Sequence, residues 1–69
     1  MRYDAYPDTY EKLRNLASES GMTLDAFSQK HFGFTRQTLL NKFSGKTPLF
    51  FDEAKKAAAI LEISLNDFS

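Results

Sequence analysis

The run from Thr23 to Lys46, TLDAFSQKHFGFTRQTLLNKFSGK, limits what this chain can fold into more than any other stretch. Thr23 is suited to cap a helix opening Leu24-Asp25-Ala26-Phe27, because its hydroxyl can accept from an amide that a helix start leaves free. Asp25 places an acid in the first turn, where the helix dipole favours one. Gly33 stops that helix just after Phe32. Phe34 then leads into Thr35, a second N-cap, and Arg36 to Ser44 form a second helix ended by Gly45. The spacing predicts two short helices joined by a tight turn over residues 23–45.

The remaining segments read as support for that pair. Residues 1–7 (MRYDAYP) have no period and form an N-terminal arm, leaving 8–69 as a single domain. Asp8 opens the first helix, with Glu11 completing a capping box, and Tyr10, Leu13, Leu16 and Ala17 make its apolar stripe. Gly21 ends it, and Met22 packs inward. In the next helix Phe27 is the deep core residue and the small Ser28 lets two helices approach. Phe32 and Phe34 should anchor the turn from both sides, with His31 a half-exposed helix end. Thr47-Pro48-Leu49 is a loop before a helix over 50–61, whose seam is Phe50, Ala54, Ala57, Ala58 and Leu61. Ile63, Ser64 as cap and Leu65 to Phe68 make a last helical turn. The expected architecture is all-α, with five short helices and no strand-like alternation.

Composition removes whole classes of function. A chain of 69 residues has room for one small core. It has no cysteine and one histidine, His31, so disulfides, a thiol nucleophile and a self-contained Cys/His zinc site are excluded, which suits a reducing cytoplasm. No apolar run approaches a membrane span, and Met1-Arg2-Tyr3-Asp4 is not a signal peptide. No nucleophile–base pair, glycine-rich phosphate loop or metal-ligand cluster stands out, so neither an enzyme nor a cofactor nor a small-molecule ligand is expected. The formal net charge is zero, but it is unevenly spread. Residues 23–47 hold Lys30, Arg36, Lys42 and Lys46 against Asp25 alone, while both flanking segments are net acidic.

That positive centre has a pattern. Leu39 and Phe43 are spaced to face the core. Arg36, Gln37, Leu40 and Asn41 then fall on the free face of the same helix, with Lys42 at its edge. Arginine and the amide side chains can make paired hydrogen bonds to guanine and adenine edges, and a leucine can meet a thymine methyl. A second helix behind a tight turn is the element that enters the major groove in helix-turn-helix proteins.

From Tyr10 to Phe68 the chain resembles the phage repressor and Cro family of helix-turn-helix proteins. The residues that carry the likeness are KLRNLASESGMT, FGFTRQTLLNKFSGK and LFFDEAKKAAAILEISLNDF. The run TLLNKFSGKTP with DEAKKAAAIL is similar in particular to small Cro-like proteins of phages of Gram-positive bacteria. The resemblance implies a compact five-helix, lambda-repressor-like DNA-binding domain. It further implies a transcriptional regulator in a bacterial cytoplasm, dimeric on a palindromic double-stranded operator. By position, Arg36, Gln37 and Asn41 match base-reading residues, joined here by Leu40. Thr35, Gly45 (through its backbone N–H) and Lys46 match phosphate contacts, with Lys42 added from its place at the edge. Three departures stand out. Leu24 replaces a glutamine that contacts DNA, the helix before Gly33 is one residue longer, and Ala17 with Phe43 replaces an Arg–Glu pair.

Two functions follow as expectations. One is operator binding in a phage genetic switch. The other is an antirepressor that docks its helix-turn-helix surface on a partner phage repressor, as a heterodimer. Operator binding is the leading expectation; zero net charge, the missing glutamine and exposed Leu40 are the features that speak for the alternative.

Overall fold

The computed structural model describes residues 3–69, so Arg2, placed in the arm, lies outside the described part. The described residues form four α-helices and no strand: α1 (Pro7–Glu19), α2 (Leu24–His31), α3 (Arg36–Phe43) and α4 (Phe51–Leu61). The expected fifth helix is instead a 3-10 turn, Leu65–Asp67. Asp67 N donates to Ser64 O and Phe68 N to Leu65 O, the i→i+3 spacing of a 3-10 turn, and Phe68 then leaves the helical region at φ −67°, ψ 130°.

Most helix ends lie where their cap chemistry places them. The Thr23 hydroxyl accepts from Ala26 N at 3.1 Å, and the Thr35 hydroxyl accepts from Thr38 N at 3.4 Å. Gly33 has φ +83°, a conformation that costs other residues about 1 kcal/mol or more. There its amide closes the end of α2 onto the carbonyls of Ser28 and Gln29.

Two starts differ from expectation. The first helix begins at Pro7 rather than Asp8, since proline's fixed φ and missing N–H suit the first helical position. Glu11 consequently makes no capping box and instead pairs with Arg14 at 3.0 Å on the surface. Phe50 precedes α4 as its N-cap residue and is 59% exposed, so it is no part of the seam. Its backbone amide donates to Glu53 Oε1 at 3.0 Å, which fixes the start of α4 one residue later.

The core is a single cluster of Leu13, Ala17, Phe27, Leu39, Phe43 and Ala57, each at most 1% exposed. It gathers one face from every α-helix, and Phe68 and Tyr6 close it from the two ends of the chain, edge to face at 5.5 Å. Thr9 is fully buried although polar. Its hydroxyl accepts from Ser69 N at 3.0 Å and its amide donates to Ser69 O at 2.9 Å, so the last residue is stitched to the first helix. No helix among the described residues is long and apolar enough to cross a membrane.

Candidate nucleic-acid interface

The α2–α3 pair is locked from behind. Ser28, fully buried where the helices meet, donates its hydroxyl to Phe34 O at 2.7 Å, giving a turn carbonyl the partner that water would otherwise supply. Phe32 and Phe34 stack across the turn with ring centroids 5.4 Å apart and planes 16° from parallel. His31 lies against Phe27 at 4.4 Å between centroids, half-buried at the helix end.

Asp25 adds a brace that spacing alone does not reveal. Its Oδ1 accepts from Arg36 N at 3.0 Å and its Oδ2 from Gln29 Nε2 at 2.8 Å. The first free amide of α3 is thus capped by a carboxylate from α2, eleven residues upstream. That sets the angle between the helices and places a negative charge at the positive end of the α3 dipole.

The free face of α3 carries the expected side chains. Arg36, Gln37 and Leu40 are exposed and Asn41 is half-buried. Gln37 Nε2 donates to Asn41 Oδ1 at 3.1 Å, one turn on, so the two amides form one hydrogen-bonding unit with a free carbonyl and a free NH₂. Leu40 is 37% exposed and sits on the lip of an open groove of about 360 Å³ shared with Pro7, Tyr10 and Phe43. It therefore belongs as much to this apolar surface as to the polar row.

The four expected phosphate contacts do not share one fate. Thr35 is exposed, with its hydroxyl engaged as the α3 cap. Lys46 is exposed, and its amide continues the α3 end by donating to Asn41 O at 3.0 Å. Lys42 must be reassigned. It is 8% exposed, its ammonium lies 2.9 Å from Glu53 Oε1 and 3.2 Å from Pro48 O, and the Phe50 ring covers it at 4.7 Å. Its place in the helix turns it towards α4, where the charge is neutralised and closed off from a duplex. Gly45 is buried against the backbone of Tyr3 and Asp4, and its carbonyl accepts from Tyr3 N at 3.0 Å.

Sequence reasoning missed Asp25, Glu53 and Tyr3 as partners of this surface. Asp25 and Glu53 each left a local sign, as an acid in the first turn of its own helix, but neither sign points to the distant partner. Among the described residues no group of three His, Asp or Glu side chains is placed to hold a metal ion. Compared with protein-family models, with curated proteins and with solved structures, the chain matches none.

Proposed function

We propose that this domain is a sequence-specific binder of double-stranded DNA. In this reading it is a non-catalytic transcriptional regulator with a lambda-repressor-like, Cro-like fold, acting in a bacterial cytoplasm as part of a phage switch. The observation that carries the proposal is the α3 face. Arg36, Gln37 and Asn41 project together from a helix braced by Asp25 and Ser28, and a rigid helix with such a row suits the width and edge chemistry of the major groove. Arg36 would pair with a guanine and the Gln37–Asn41 unit with an adenine.

The electrostatics set the expected strength. With Lys42 neutralised by Glu53, the cations left in the α2–α3 segment among the described residues are Lys30, Arg36 and Lys46, and Asp25 opposes them. So few phosphate contacts give weak binding for one copy, and two copies on a palindrome would add their energies. The test is selection of the full chain on random duplexes, followed by affinity against salt. Enrichment of a short palindromic sequence is expected, with a log–log salt slope of about −2 to −3 per copy. No enriched sequence together with no salt-sensitive binding would overturn the reading.

A second reading is favoured by the apolar groove at Leu40. A leucine exposed beside Pro7, Tyr10 and Phe43, with an acid capping α3, suits a protein partner better than a polyanion. That partner would be a phage repressor, and the protein an antirepressor. Leu40→Ala separates the two. Against DNA it should cost about 1 kcal/mol or less, as a lost methyl contact, whereas a buried interface anchor costs about 2 kcal/mol or more.

A further inference from the structure

We infer that residues Tyr3–Tyr6 are a strap that positions the C-terminal turn of α3, and that position 45 is glycine to admit this strap. The inference rests on the DNA-binding reading for its consequence, though not for its geometry. Two backbone hydrogen bonds run from the strap to the end of α3. Tyr6 N donates to Phe43 O at 2.6 Å, and Tyr3 N donates to Gly45 O at 3.0 Å. They occupy carbonyls at the end of α3 that have no partner inside the helix. A Cβ built on Gly45 would lie 2.4 Å from Tyr3 O and 3.3 Å from Tyr3 C, so any side chain there collides with strap backbone rather than with a movable group. The same segment meets α1 at Pro7, whose φ is fixed, and Tyr6 is held against Phe68.

The consequence concerns the reading head. Asp25 holds α3 at its N-terminal end through Arg36 N, and the strap holds it at its C-terminal end through Phe43 O and Gly45 O. A helix fixed at both ends presents Arg36, Gln37 and Asn41 in one pose, which is what discrimination between base pairs requires. The strap bonds engage the carbonyls of Phe43 and Gly45, so the carbonyl side of the α3 end is filled by the chain itself.

A matched pair of variants isolates the strap. Gly33 and Gly45 share φ +83°, but a Cβ on Gly33 meets nothing within 4 Å. Gly33→Asn and Gly45→Asn therefore carry the same backbone strain, which asparagine tolerates better than most residues, and differ in the collision with Tyr3. Amide exchange is read in the full chain at Tyr3, Tyr6, Ser44 and Lys46, alongside the affinity ratio of selected to random duplex. In Gly45→Asn, exchange at Tyr3 and Tyr6 should accelerate by about tenfold or more, and the ratio should fall by about tenfold, the equivalent of one lost hydrogen bond. Gly33→Asn should keep both near wild type. Tyr3→Pro removes the donor from the strap side without touching α3, and should reproduce the faster Tyr6 exchange and the lower ratio of Gly45→Asn even if that variant folds poorly. Equal effects of the two asparagine variants, or protected Tyr3 and Tyr6 amides in Gly45→Asn, would overturn the strap. So would faster exchange at those amides with an unchanged discrimination ratio. If wild type selects no duplex, the functional reading fails by itself; faster exchange at Ser44 and Lys46 in Gly45→Asn but not in Gly33→Asn then still supports the strap as positioning the end of α3, and unchanged exchange there overturns it.

Discussion

Lys42 shows how far one side chain can depart from the role its residue type suggests. Its position after Asn41 puts it at the edge of the α3 face, but its stem crosses to Glu53 and Pro48 and its ammonium lies under Phe50. An ammonium withdrawn from water needs that carboxylate, and the carboxylate needs it. Lys42→Ala should therefore destabilise the fold by about 2–4 kcal/mol in chemical denaturation, slightly below the cost for a fully enclosed pair because Glu53 keeps some exposure. Lys42→Met with Glu53→Gln should recover much of that loss, since the glutamine still accepts from Phe50 N. In DNA binding the order reverses. Lys46→Ala should reduce the salt slope by about one unit and weaken all sequences alike, while Arg36→Ala should cost about 1–3 kcal/mol at particular base pairs only. A change of sequence preference on Lys46→Ala would mean that α3 docks in another pose.

At the level of elements, the helix pair was legible because each boundary is written in local chemistry. Thr23, Gly33, Thr35 and Gly45 sit at the ends they announce. The core was legible in part: the expected stripes include Leu13, Ala17, Phe27, Leu39, Phe43 and Ala57, but Tyr10, Leu16, Phe34, Ala54 and Leu61, expected with them, are only half-buried. What could not be read was every contact between residues far apart in the chain: Asp25 with Arg36, Tyr3 with Gly45, Thr9 with Ser69. Phe50 was misread because an aromatic beside an apolar run resembles a core position, whereas its ring covers Lys42 from outside. Two variants probe the elements. Ser28→Ala removes the partner of the Phe34 carbonyl inside the crossing and should cost about 1–3 kcal/mol. Glu62 closes α4 in the left-handed conformation, φ 56°, a place glycine takes at lower strain. Glu62→Gly should stabilise by about 0.5–1 kcal/mol, read as a rise in Tm of about 2–8 °C in a domain of this size.

Across the whole molecule, stability depends on one cluster that every α-helix feeds, so loss at its centre is not local. Phe27→Ala should cost about 3–5 kcal/mol, enough to leave so small a domain unfolded at room temperature in circular dichroism. A cooperative transition of near-normal midpoint would mean the core is centred elsewhere. The distribution of charge follows the same architecture. The α2–α3 segment is the basic part of a neutral chain, but the fold spends Lys42 internally and sets Asp25 at the α3 start. On the proposed DNA-binding reading, few cations would be left for a duplex, and discrimination would come from the side-chain row of α3 more than from overall attraction.

The Lys42–Glu53 contact also constrains how sequences of this type can diverge. A single exchange at either position passes through a chain with an unpaired buried charge, and such intermediates should be purged. Descendants should therefore keep the pair, swap it together, or replace both members with apolar residues. Position 50 should follow them, aromatic where the ammonium is kept and free to vary where it is lost.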